Sequence, residues 1–150
     1  MSLEENKALL GRYYRVFFNE ANLAAGEALH TADFIFREGN NPPIGQQEYM
    51  RRNEMFLRAF PDRILTIDFQ VAEGDKVVTR STLHGTHRGD LPGVPATGRK
   101  VTITATVTDR IEDGKIAEEW EDWDGLGMMQ QLGAIPSPGS KQSAPTKCRR

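Results

Sequence analysis

The sequence has little cysteine. Cys148 is its one thiol, which excludes an internal disulfide and makes a reduced, cytoplasmic setting the expectation. Histidine is nearly as scarce: there are three, His30, His84 and His87. No histidine pair, Cys-His set or carboxylate-histidine triad has metal-ligand spacing, so no metal is expected. No apolar run approaches the roughly 18 residues of a membrane span, and the N-terminus lacks the apolar stretch of a secretion signal. There is no G-x-G-x-x-G, no phosphate loop and no serine in a nucleophile elbow. These absences remove a membrane partner, nucleotide cofactors and serine-based hydrolysis from the expected functions. No cofactor of any kind is expected.

What is present suffices for one domain. The chain has 150 residues, of which 38% are hydrophobic and 27% charged. At this length folding buries roughly 70% of the unfolded surface, so a core can form without staples. The net charge of −2 hides an asymmetry. Residues 136–150 carry Lys141, Lys147, Arg149 and Arg150, no acid, and many Pro, Ser and Gly; they read as a disordered basic tail behind a domain at 1–135. Without those four cations, 15 basic residues face 21 acids, which disfavours nucleic acid as a partner. Seven acids (Glu112, Asp113, Glu118, Glu119, Glu121, Asp122 and Asp124) fall within thirteen positions.

The first part of the chain is helical in pattern. Ser2 and Glu5 form a capping box, and Leu9, Leu10, Tyr13, Tyr14, Phe17 and Phe18 recur at helical spacing, predicting a helix to Phe18. Asn22 can cap a short helix through Leu29, which would place His30 at a helix C-terminus. A short strand over Thr31–Phe36, a loop over Glu38–Gly45 and a helix over Gln46–Phe60 follow. The second part alternates. Leu65, Ile67, Phe69 and Val71 mark a half-buried strand, Val77–His87 a second, and Val101, Ile103, Ala105 and Val107 a third. Asp113-Gly114 is a hairpin turn of the kind that needs two positive φ angles, with Lys115–Trp123 as the returning strand. Asp124 fits as the N-cap of a last helix, Gly125–Leu132. Helices followed by antiparallel strands predict an α+β fold whose helices lie on one face of a curved sheet and enclose a pocket.

The strand Lys115–Trp123 breaks the alternation. One parity holds Ala117, Glu119, Glu121 and Trp123; the other holds Ile116, Glu118, Trp120 and Asp122. Whichever side faces inward, an acid goes with it, unless the strand is an edge with solvated acids. A carboxylate in an apolar pocket is pushed toward a neutral pKa, which suits a general base. The long segment Arg88–Arg99, rich in Gly and Pro, can cover a site or form a contact. His87, at its start, can assist with protons or tie the loop. Tyr13, Tyr14, Phe17 and Phe36 can line a pocket or simply fill the core.

Three ordered blocks give the chain a family resemblance. They are the aromatic first helix with Ala32-Asp33-Phe34; Ala59-Phe60-Pro61-Asp62 with Gly85-Thr86-His87-Arg88-Gly89 and Gly93–Arg99; and Arg110–Ile116 with Glu119-Trp120, Asp124 and Gln131-Leu132-Gly133. In this order they resemble the SnoaL-like polyketide cyclases (ester cyclases) of the nuclear transport factor-like cone superfamily. The resemblance implies a conical α+β barrel with a hydrophobic pocket, assembled as a homodimer or homotetramer. It also implies intramolecular aldol closure of a polyketide ring without a cofactor, with an acid on the last strand shuttling the proton. Ungapped alignment puts that acid at Glu121, as Glu rather than the family's Asp. Phe36 and Val107 stand where the family often carries polar partners. On this reading Glu121 is the base and His87 a positioning partner, while Tyr13, Tyr14, Phe17, Phe36, Trp120 and Trp123 hold a planar hydrophobic small molecule. The alternative is a non-catalytic ligand-binding or oligomerisation module of the same fold.

Overall fold

The computed structural model describes residues 1–138; from residue 139 onward the expected tail lies outside the described residues. The chain runs α1 (Leu3–Tyr14), α2 (Leu23–Glu27), β1 (His30–Glu38), β2 (Ile44–Gly45), α3 (Gln46–Ala59), β3 (Ile64–Glu73), β4 (Lys76–Thr86), β5 (Lys100–Glu112), β6 (Lys115–Trp123) and α4 (Gly125–Gln131). The fold is α+β, as the pattern predicts. One sheet orders its strands β2-β1-β6-β5-β4-β3. Every pairing is antiparallel except β1 with β6, which is parallel. The helices pack on the sheet's inner side, α1 on β3 and β4, α3 on β1, and α4 on β5.

Local chemistry accounts for the element ends. Ser2 accepts from the Glu5 N–H while Glu5 accepts from the Ser2 N–H, closing both ends of the capping box. Asn22 and Asp124 cap α2 and α4 by accepting from the Ala25 and Gly127 N–H groups. Asp113 and Gly114 have φ of 51° and 74°, as a tight hairpin turn requires. The first helix does not stay α-helical to Phe18. Residues Arg15–Asn19 widen into a π-helical turn. That turn sets the Phe17 ring, fully buried, against the bare Cα of Gly26 in α2. A Cβ at residue 26 would lie 2.1 Å from Phe17 Cδ1. Gly26→Ala is therefore expected to lower stability by about 1–3 kcal/mol, read as a lower urea midpoint at unchanged slope.

Two expectations change. His30 is not at a helix C-terminus. It opens β1, is buried, and stacks on Phe34 with centroids 3.8 Å apart. Burial lowers its pKa to about 4, so it is neutral and no charge meets a helix dipole. The second change is in β3, where Leu65, Ile67, Phe69 and Val71 do not share a buried face. A β-bulge between Ile67 and Phe69 slips the register by one residue. Phe69 and Val71 consequently turn outward, 57% and 58% exposed, and Gln70 turns in to meet the Lys7 carbonyl and Thr79 Oγ1.

Candidate active site

The helices and the concave face of the sheet enclose a cavity of about 270 Å³. Its wall is mainly apolar, with Phe18, Phe36, Phe56, Leu83, Ile103 and Val107 among the contributors. Alternation along β4 and β5 supplies much of it, because Ser81, Leu83, Ile103, Ala105 and Val107 point to the same side. Leu91, from the long loop after β4, and Met128 of α4 complete the wall.

Carboxyl groups interrupt this wall. β6 turns Glu119, Glu121 and Trp123 inward, and β1 contributes Glu38, which lies beside Glu121 in the parallel register. Glu38 has partners of its own: Trp123 Nε1–H donates to it, and so does Arg52 at 3.3 Å. The Glu121 carboxyl has no hydrogen-bond or ion-pair partner among the described residues. Burial raises its pKa to about 8, with further upward pressure from Glu119, Glu38 and Asp122. A carboxyl in that condition holds a proton near neutrality and takes one readily when ionised.

Behind Glu121 lies a buried polar network. Asp109 and Glu119 face each other across the β5–β6 pair, both essentially without solvent contact. Tyr14 donates to Asp109 Oδ2 at 2.8 Å. Gln46 meets His30 Nδ1 at 3.2 Å, His30 Nε2 meets the Tyr13 hydroxyl at 2.9 Å, and Tyr13 meets the Tyr49 hydroxyl at 3.2 Å. Tyr49 and Glu119 line the same cavity. With the Gln46 amide donating to His30, this sequence of donors runs from α3 toward the carboxyl pair. Burial raises the pKa of both carboxyls; Asp109 pushes Glu119 further, well above the ordinary range, and Glu121 adds to the rise at Asp109.

The residues singled out from sequence fall in three places. Tyr14, Phe36, Glu121 and Trp123 line the cavity together. Tyr13 and Phe17 form a second layer, stacked on each other at 5.2 Å, and Phe17 stacks on the cavity residue Tyr49 at 6.0 Å. Trp120 and His87 are elsewhere. Trp120 lies on the opposite side of β6, with the Arg37 guanidinium 5.6 Å from its ring. His87 is buried against Phe60 and ties the loop: Nδ1 accepts from the Thr97 N–H at 3.1 Å, and the His87 backbone pairs with Gly98 and Arg99. Its Nε2 has no partner among the described residues. Asp109 escaped the sequence reading, although a signal was present. The inward run Val101, Ile103, Ala105, Val107 continues in phase to Asp109 and Ile111. Tyr49, Glu38 and Arg52 carried no such signal, since each looks like an ordinary helix or strand residue.

An α+β cone whose apolar cavity carries an unpartnered carboxyl defines a class of small-molecule proteins equipped for acid–base chemistry. Comparison with known proteins gives the family. The model of the SnoaL-like polyketide cyclases matches residues 8–132, and the chain belongs to that family. Aklanonic acid methyl ester cyclase DauD of Streptomyces sp. strain C5 is 33% identical over 136 residues, spanning 83% of this chain and 84% of DauD. Aklanonic acid methyl ester cyclase DnrD of Streptomyces peucetius is 34% identical over 118 residues, spanning 72% of this chain and 81% of DnrD. Among solved structures, AclR from Streptomyces galilaeus, a candidate hydroxylase, superposes with a TM-score of 0.85 at 28% identity, covering 91% of this chain and 86% of AclR. TsrD from Streptomyces laurentii gives 0.78 at 28% identity, covering 90% and 99%.

Proposed function

We propose that this chain is a cofactor-independent enzyme that closes a ring in a hydrophobic polyketide-type substrate, with Glu121 as the base. Glu121 takes a proton from carbon next to a carbonyl. The resulting carbanion equivalent attacks a second carbonyl of the same molecule, and Glu121 returns its proton to the new alkoxide. The observation that carries this reading is a carboxyl with no partner, pointing into an apolar cavity. Two relatives at 33% and 34% identity that carry the name of an ester cyclase support it. Phe36, Tyr14 and Trp123 supply flat faces for a planar ring system, and Tyr49, stacked on Phe36 at 4.6 Å, holds one of them in place.

Aklanonic acid methyl ester, the substrate named for the relatives, is the first compound to try. Ring closure by an aldol step leaves the mass unchanged, so conversion appears as a new chromatographic peak of the same mass. Glu121→Gln keeps the shape and removes the base; turnover by that variant at the parent rate would overturn the reading.

Self-association belongs to the same proposal. β3 is the last strand of the sheet and presents Ile64, Phe69 and Val71, which are 47%, 57% and 58% exposed. An apolar sheet edge of this kind suits a second copy of the chain. Phe69→Lys is expected to shift the light-scattering mass toward the monomer while the far-ultraviolet circular dichroism stays unchanged. An unaltered mass would place the contact elsewhere.

A further inference from the structure

Asp109 and Glu119 have no role in the mechanism above, yet they are the two most deeply buried acids described. Burying two carboxylates side by side is prohibitive unless a proton sits between them. The geometry supplies no other relief. Asp109 Oδ2 is taken by Tyr14, while Oδ1 is buried and meets no ordinary donor. The carboxyl that stands opposite it across the strand pair is Glu119. The titratable groups acting on the pair are Tyr13 and Tyr14 from α1, Tyr49 from α3 and Glu121 from β6; none is a cation. Glu119 also reaches the cavity wall, on the same side of β6 as Glu121 and two residues away, about 6.8 Å along the strand. A carbonyl oxygen and the hydrogen on its neighbouring carbon fit between two groups at this spacing.

We propose that Asp109 and Glu119 share one proton and that Glu119 turns it toward the substrate's carbonyl oxygen as a hydrogen-bond donor while Glu121 removes the proton from the adjacent carbon. This rests on the reading of Glu121 given above. In the first step the C–H bond breaks and its proton joins the Glu121 carboxylate. The C–H electron pair forms a C=C bond, the carbonyl π pair moves onto oxygen, and that oxygen, now an enolate, accepts a hydrogen bond from the protonated Glu119. The negative charge thereby moves from Glu121 to the enolate oxygen, and the proton stays on the pair. In the second step the enolate carbon attacks the acceptor carbonyl, the first carbonyl re-forms and releases the Glu119 hydrogen bond, and the acceptor oxygen takes the proton held by Glu121. No oxidant, reductant or co-reactant is consumed. The arrangement resembles in principle a buried carboxylic acid kept neutral so that it can donate to an enolate oxygen.

Two measurements test it. Carboxyl carbon-13 NMR titration of protein labelled in Asp and Glu is expected to show Glu119 protonated at pH 7. Glu119→Gln should remove that signal and lower the midpoint of Asp109. A Glu119 that titrates as an ordinary carboxylate, ionised at pH 7, would overturn the proposal whatever the kinetics. The second measurement is deuterium exchange at the activated carbon of 2-tetralone, a neutral bicyclic ketone, in D2O. Wild type is expected to accelerate exchange, and Glu121→Gln to abolish the acceleration. Glu119→Gln should reduce it roughly 100-fold without changing half-saturation, the lower end of what loss of one oxyanion-stabilising donor costs. Asp109→Asn, which keeps an acceptor for Tyr14, should lower it less. If Glu121→Gln is inactive and Glu119→Gln matches wild type, the proposal fails and the reading of Glu121 stands. If Glu121→Gln matches wild type, both fail.

Discussion

Glu121→Gln is expected to reduce cyclisation by ~10²–10⁴-fold, the range a single general base contributes. The loss should fall on kcat and leave KM nearly unchanged, because glutamine occupies the same volume in a wall that binds substrate through Phe36, Tyr14 and Trp123. The pH profile makes the test sharper. The base must be ionised to act, and burial raises the Glu121 pKa to about 8. Wild-type kcat/KM should therefore rise with pH and level off above about pH 8. Two pH units below the midpoint it should be about 100-fold lower, since each unit below the pKa leaves a tenth as much ionised base. Glu121→Asp keeps the charge but shortens the reach by one methylene, and should retain the same profile at a lower plateau. A flat profile through pH 6–9 would exclude Glu121 as the base.

The second large effect is on stability, and it has the opposite sign to the loss of activity. Glu121 carries an ordinary pKa of 4.5 before burial and about 8 in the fold, so the folded chain binds its proton more tightly than the unfolded chain. Its contribution is fully present below the unfolded pKa and is lost as pH rises through about 8. Glu119 is shifted in the same direction by burial and by Asp109. His30 works the other way. Its pKa falls from 6.5 to about 4, so its contribution is present above 6.5 and is lost as pH falls through about 4. Wild type should therefore weaken toward both extremes. Glu121→Gln removes Glu121's share of the alkaline arm and leaves the acid arm as it is. Because Glu121 keeps some contact with the cavity's solvent, part of the full displacement should appear, on the order of 2 kcal/mol at pH 9 or a Tm gain of roughly 5–8 °C. At pH 4, below the unfolded pKa of 4.5, the variant and wild type should melt together. Differential scanning calorimetry at the two pH values reads both, and a variant less stable than wild type at pH 9 would contradict the assignment of a costly buried charge. The inactive protein is thus expected to be the more stable one under alkaline conditions, as befits a group held at the site against its own solvation.

Much of the architecture was already legible in local patterns. The capping box at Ser2 and Glu5, the caps at Asn22 and Asp124, and the Asp113-Gly114 turn were readable because each depends on side chains within three residues of the backbone group they serve. The alternation of Val101, Ile103, Ala105 and Val107 fixed which side of β5 faces the core for the same reason. Site residues were legible where they lay on such a pattern, as Phe36 and Tyr14 did. Trp120 and Trp123 were indistinguishable by type, and it is strand phase that separates them.

Strand phase is what the sequence left open and the tertiary structure decided. The two-residue turn pairs Glu112 with Lys115 and Ile111 with Ile116. Continued without interruption, that register would set Val107 opposite Trp120 and turn Glu118, Trp120 and Asp122 into the cavity. A β-bulge between Arg110 and Ile111 slips the pairing by one residue, so that Val107 meets Glu121 and Arg110 meets Glu118. Glu119, Glu121 and Trp123 then face inward, while Glu118 stays outside with Arg110 and Arg37. The bulge in β3 exchanges Phe69 for Gln70 in the same way. Side chains along a strand repeat every two residues, so a slip of one reverses every face beyond it. Composition and local pattern placed an acid on this strand and predicted that one would go inside. Which acid it is depends on a single unpaired residue, whose position is set by packing across the whole sheet.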